Sequence, residues 1–207
     1  AQSPHDQYYF RDPVRMVHGQ EKAPTLDLTN LELIQSHMHA IWLAETGKKL
    51  GSSVRDLLDM NQPETLPLIE EVAADLDKPD AKKRAHARGL KVLSMLGGEL
   101  TPNRAPWYND QWAESVFQRS FIEFDKALQR WRDLYRATAQ AIDLNFKIEN
   151  NPAASERERR EAQQRHNEAR KQRDLLLAGD SAFNSDFYTY RYMASQGFLP
   201  GYNFPRL

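Results

Sequence analysis

The side chains best suited to chemistry in this chain are cations at helical spacing. Lys82, Lys83, Arg84, Arg88 and Lys91 crowd one ten-residue stretch. Arg157, Arg160 and Arg165 belong to a second, more mixed run. Such groups bind phosphate oxygens by charge and fork geometry, without reading base sequence. A charge run is also what an ordinary solvated helix face carries, and both readings stand at this point. The second run dilutes its own field. Arg157, Arg159, Arg160, Arg165, Arg170, Lys171 and Arg173 face Glu156, Glu158, Glu161, Glu168 and Asp174. Pairs four apart, such as Glu156–Arg160, Glu161–Arg165 and Arg170–Asp174, are spaced to neutralise one another.

Other chemistries find little support. The string closest to a phosphate loop, Gly47-Lys48-Lys49-Leu50-Gly51-Ser52-Ser53, has the wrong order and follows a helix instead of a strand. No local spacing suggests a Ser-His-Asp or paired-carboxylate site, so no catalytic residue is assigned. His37 and His39 lie two apart and point in different directions on a helix, and His37 and Glu45 are two turns apart. No metal site is expected from them. The dense aromatics Phe187, Tyr188, Tyr190, Tyr192, Phe198, Tyr202 and Phe204 suit either buried docking or base stacking.

The elements that must position these groups are helices. Asn30, or Thr29, caps a helix that Gly47 ends. Ser53 is placed to cap 54–60, Thr65 to cap a helix through Leu76, and Asp80 to cap one through Leu96. Together 27–100 read as a small helical bundle. Pro102 and Pro106 mark 101–108 as a linker and domain boundary. Beyond it, Phe117, Phe121, Phe124, Leu128, Trp131, Tyr135, Thr138 and Ile142 recur at spacings of 4, 3, 4, 3, 4, 3 and 4. That is a heptad seam. A helix from Asn109 or Asp110 to Asn150 would span roughly 60 Å. The remaining faces, including Arg132, read as solvated. Asn150-Asn151-Pro152 turns the chain. A Ser155/Glu158 capping box then opens a second arm whose thin seam is Ala162, Ala169 and Leu176. The fold expected is mainly α: a small bundle, then a long antiparallel, coiled-coil-like hairpin over 109–180. Residues 1–26, with Tyr8, Tyr9 and Phe10, read as an extended wrapping segment, and 181–207 as an aromatic helix-plus-loop docking segment.

With 207 residues, a net charge of −1 and 28% charged side chains, the chain is globular and carries no global basic field. The absence of cysteine excludes disulfides and thiolate metal sites. No apolar run suits a bilayer, no signal peptide is visible, and the cytoplasm is the default compartment. The chain starts at Ala1 and ends at Phe204-Pro205-Arg206-Leu207, which reads as a piece of something longer.

Two stretches resemble a known family. Asp6-Gln7-Tyr8-Tyr9-Phe10-Arg11-Asp12-Pro13-Val14-Arg15-Met16, with Leu26-Asp27-Leu28-Thr29-Asn30 and Ser36-His37 through Trp42-Leu43-Ala44, forms the first. Tyr190-Arg191-Tyr192-Met193-Ala194, with 197–206, forms the second. Both resemble the region after the second motor domain of large bacterial superfamily 2 DEAD/DEAH-type helicases, nearest to the helicase subunit of the DISARM phage-defence system. They fall within 6–44 and 190–206, about a quarter of the chain. The hairpin between them looks like an insertion. The resemblance implies an accessory region that contacts DNA, braces the motor domains of the same parent chain, or binds a partner subunit. ATP and Mg²⁺ are implied for the parent's motor alone, because no residue here matches the motifs that hold them. The rival reading is a protein-interaction or scaffolding module built on the hairpin. A third is a coiled-coil homodimer.

Overall fold

Helix α1 (Leu31–Thr46) begins where the Asn30 side chain accepts from the Leu33 N–H at 2.8 Å. It ends at Gly47, whose φ of 70° suits a residue without Cβ. The computed structural model describes residues 28–178 and 188–201. The expected wrapping segment 1–26, the break at Gly179, and the aromatics Phe187, Tyr202 and Phe204 lie outside them. A 3-10 turn (Val54–Leu57) precedes α2 (Glu70–Leu76) and α3 (Pro79–Met95). Then come α4 (Asp110–Ala127), α5 (Gln129–Glu149), α6 (Glu156–Ala178) and α7 (Tyr188–Ser195). The fold is mainly helical. Among the described residues the sole β feature is an isolated antiparallel bridge between Leu58 and Leu68.

Helices α1, α3 and α4 pack on one another. Their core holds Met38, Trp42, Leu57, Leu58, Leu66, Leu93, Phe117 and Phe124, each at most 1% exposed. Gly89 is where α3 closes on its neighbours. A Cβ there would meet Phe117 Cζ at 2.4 Å and Met38 Sδ at 3.1 Å, so only glycine permits this approach. Pro79 occupies the first turn of α3, with Lys78 as its N-cap. The expected cap, Asp80, therefore sits inside the helix. The helix expected from Thr65 starts only at Glu70. Residues 65–69 instead pair with the preceding turn, through Asp59 N–H to Pro67 O (2.8 Å) and Ile69 N–H to Leu57 O (3.0 Å). Leu66 sits there at φ 47°.

The expected boundary at 101–108 is absent from the packing. Ala105 is fully buried, Leu100 nearly so, and the Trp107 indole N–H donates to Thr29 O at 3.0 Å. Trp107, Tyr108 and Trp112 form an edge-to-face aromatic cluster across the same stretch. One continuous core then runs from Ile34 through Trp131 to Leu199. The hairpin proper begins at α5, and α4 belongs to the bundle.

The single 40-residue helix expected for the first arm is two helices. Leu128 separates α4 from α5 with its backbone still in the right-handed helical region. The cause lies far away in sequence. In an unbroken helix the Trp131 N–H would bond the Ala127 carbonyl. Here the Tyr192 hydroxyl stands between them. It accepts from Trp131 N–H at 3.1 Å and donates to Ala127 O at 3.0 Å. An inserted side chain of this kind breaks the ladder and bends the axis. The heptad seam consequently serves two partners. Phe117, Phe124 and Leu128 face the bundle, while Thr138 and Asn145 are buried in the arm, where α5 packs along α6. Asn109 caps α4 through its side chain, accepting from Trp112 N–H at 2.8 Å. At the arm's tip Ser155 and Glu158 form the reciprocal cap of α6 (2.8 and 3.3 Å). Ala162 and Ala169 are the buried positions of α6, as their spacing predicts.

Candidate nucleic-acid interface

Helix α3 carries Lys82, Lys83, Arg84, Arg88 and Lys91 because its buried side uses small residues. Ala81, Ala85, Gly89 and Leu93 face the core at four-residue spacing, which leaves the intervening positions to solvent. Four of the five cations already hold a carboxylate. Lys82 Nζ lies 2.5 Å from Asp77, and Lys83 Nζ 3.8 Å from Asp80. Arg84 and Arg88 converge on Glu45 of α1, at 3.1 and 3.0 Å, and Arg84 also donates to the Glu45 carbonyl at 2.8 Å. The hydrogen bonds from Arg88 and then Arg84 hold the Glu45 carboxyl below its usual range. This triad keeps one net positive charge and ties α3 to the C-terminal end of α1. Lys91 is exposed, with no carboxylate in ion-pair range among the described residues.

On α6 the cations are more self-contained. Arg157 pairs with Glu161 at 2.9 Å, Arg160 with Glu156 at 2.5 Å, and Arg165 with Glu161 at 3.6 Å. All three side chains are at least 65% exposed. The expected Arg170–Asp174 pair is replaced by Arg173–Asp174 at 3.2 Å. Exposed pairs of this type contribute only about 0–1 kcal/mol each, so a phosphate can replace the carboxylate at small cost. Arg157 and Arg165 share Glu161, so that trio also keeps one net positive charge, and the α3 group is distinguished by the addition of Lys91.

Two cations missed as structural elements are the bracing arginines of α5. Arg132, expected on a solvated face, is buried at 4% exposure. Its Nε donates to Leu66 O at 2.8 Å, Nη1 to Asp125 O at 3.0 Å, and Nη2 to Asp125 Oδ1 at 2.5 Å. Arg136 donates to Glu64 O at 2.7 Å. Together they clamp the 64–66 turn to the root of the arm, and burial removes Arg132 from reach of phosphate. The only sequence signal was their position one and two turns past Leu128, which has meaning only once the break there is known.

His39 is likewise structural. Its ring stacks on Phe198, with centroids 4.3 Å apart. Nδ1 lies 3.2 Å from Phe198 O, and because a carbonyl only accepts, Nδ1 carries the proton. Nε2 is buried without a hydrogen-bond partner. Charging the ring would bury an unpaired N–H, and burial accordingly lowers the His39 pKa to about 4. Among the described residues no three His, Cys, Asp or Glu side chains gather in a way that could hold a metal ion. Nor is any helix there long and apolar enough to cross a membrane.

The aromatic segment near the C-terminus docks in its described part. Tyr190 Oη accepts from Leu50 N–H at 3.2 Å, and Thr189 donates to Gly51 O at 2.5 Å. Met193 is fully buried, and Phe198 meets Trp42 and Phe124 edge to face. Tyr192 is half-buried with its hydroxyl engaged at the helix break, and burial pushes its pKa up. The rings of Tyr192 and Phe198 therefore serve packing. Set against models of known families, curated proteins and solved structures, the chain matches none.

Proposed function

We propose that this chain is an accessory DNA-binding and bracing region of an ATP-dependent DNA helicase acting in the cytoplasm, with an anti-phage parent as its nearest likeness. The observation that supports this reading is a convergence. The two stretches that carry the helicase resemblance lie about 150 positions apart in the sequence. In space, Trp42 and Leu43 of the first and Met193, Phe198 and Leu199 of the second fall in one core, with Phe198 against Trp42 at 6.0 Å. The arm between them starts from that core at Trp131 and comes back to it at Leu176. This is the arrangement an insertion into a shared scaffold requires. ATP and Mg²⁺ belong to the motor of the parent, and no residue of this chain is assigned to them.

In this reading Lys82, Lys83, Arg84, Arg88 and Lys91 contact backbone phosphate, with Arg157, Arg160 and Arg165 of the arm as a second, weaker set. The test is fluorescence anisotropy of the chain with a labelled mixed-sequence DNA. Binding at low salt should fall steeply as salt rises, since each phosphate contact releases counterions. The triple substitution Lys82→Glu, Lys83→Glu, Lys91→Glu should weaken it by at least roughly tenfold. No binding at low salt would overturn direct DNA contact. A second reading, a protein-interaction module using the arm, draws support from the internal pairing of the α6 cations and from exposed Leu134, Leu144 and Leu175. It predicts that reversing Arg157, Arg160 and Arg165 leaves DNA binding unchanged.

A further inference from the structure

Helix α5 carries a second apolar stripe that the described chain leaves largely uncovered. Leu134, Ala137, Ala141, Leu144 and Ile148 recur at spacings of 3, 4, 3 and 4. The set is displaced from the buried seam of Trp131, Thr138 and Asn145 that meets α6. Leu134 is 45% exposed and Leu144 59%, Ala137 is exposed, and Ala141 and Ile148 are half-buried. Large apolar groups left at coiled-coil spacing on a helix already committed on another face mark a docking surface.

The pattern itself selects the occupant. Set against an antiparallel copy of itself, the stripe places Leu134 opposite Leu144 and Ala137 opposite Ala141, each pair occurring twice about a twofold axis, while Ile148 lies outside these pairs, beside Arg130 of the second copy. The small central residues let the two backbones approach closely. The residues that flank the stripe on its solvent side are Asp133, Gln140 and Lys147. The same register sets Asp133 against Lys147 of the second copy, Lys147 against Asp133, and Gln140 against Gln140. A self-complementary patch with matched flanking charges is what an isologous contact requires. Asp133 and Lys147 now pair within the helix, with Arg136 and Asp143 at 2.6 Å each, and their side chains are 60% and 70% exposed. These pairs exchange at little cost. We propose that two copies of the chain associate antiparallel through this face of α5, forming a four-helix assembly from two arms. The proposal is independent of the helicase reading.

The chain contains no cysteine, which makes the test direct. Sedimentation equilibrium of the whole chain should show a concentration-dependent monomer–dimer equilibrium with a Kd on the order of 10 µM. Leu134→Glu with Leu144→Glu should abolish the dimer while circular dichroism keeps its helical signal. Asp133→Lys should weaken association roughly tenfold, and adding Lys147→Asp should restore it. Gln140→Cys, treated with a short bismaleimide, should give a covalent dimer, because its symmetry mate is the same residue. Asp133→Cys alone should not, and should cross-link only when mixed with Lys147→Cys. A monomer at all concentrations, a dimer that survives the double leucine substitution, or cross-linking that ignores this register would overturn the proposal.

Discussion

In the bundle, Trp42, Phe117 and Phe124 are each at most 1% exposed, whereas past the root residues Trp131 and Arg132 the buried positions of the arm are Thr138, Asn145, Ala162 and Ala169. The two regions bury helices of similar length against each other with opposite means. The bundle packs large rings of α1 and α4 against the small-residue side of α3, most closely at Gly89. The arm brings two backbones together over small side chains and satisfies its polar ones locally, as where Asn145 donates to Ala141 O at 2.7 Å. Large rings bury 150–250 Å² each and dominate core energetics. An alanine–alanine seam buries little, so its helices depend on capping, intrahelical ion pairs and attachment at the root. The bundle is therefore the stable unit and the arm its dependent.

That difference can be broken from either side. Phe124→Ala removes a ring that touches Trp42 and Phe198, and should cost about 3–5 kcal/mol in urea unfolding. Because Phe198, three residues past α7, packs on the same ring, hydrogen exchange should rise both in α4 and in the turn at 196–199. A rise confined to the arm would contradict the division.

Proton uptake at His39 probes the same core without changing its volume. Its folded-state pKa lies below the unfolded value, so the neutral ring's contribution is complete above about pH 6.5. It is lost as pH falls toward about 4, by up to about 3 kcal/mol. His39→Gln should flatten this slope of stability against pH, measured as the shift in urea midpoint between pH 7 and 4.5. A slope left intact would place the linkage elsewhere.

Tyr192→Phe acts where the two regions join. It removes one hydroxyl that satisfies two backbone groups, and should cost about 1–2 kcal/mol. It also lets Ala127 O and Trp131 N–H bond each other. The expected result is a straighter α4–α5 axis, read as a changed label-to-label distance between α1 and the arm's tip. An unchanged distance would mean that packing at Trp131 sets the bend.

What could be read from the sequence was what neighbouring residues decide. Asn30, Gly47, Asn109 and the Ser155/Glu158 box act within four residues, and each stands where its type predicts. The core spacing of the seam was also legible, since periodicity reports burial. Burial does not say against what. The break at Leu128 depends on Tyr192, and the fate of Arg132 depends on a carbonyl 66 positions away. The linker at 101–108 misled because prolines there end helices without ending the core, as Ala105 and Trp107 make plain. Thr65 looked like a cap, but the backbone of 67 and 69 was already committed to the 57–59 turn. The candidate cations were found by type and spacing. Their pairing to Glu45 across helices was not, because it rests on how α1 meets α3.

The Tyr192 hydroxyl also separates how far the arm reaches from where it points. The direction of α5 is set at its first turn, by a residue that comes after the whole arm has returned. Nothing at the tip, around 150–155, takes part in that setting. Whole helical turns could be added to or removed from both arms there, and the shaft would keep its bearing while its reach changed by about 5.4 Å per turn. Reach and bearing are thus set by different parts of the chain.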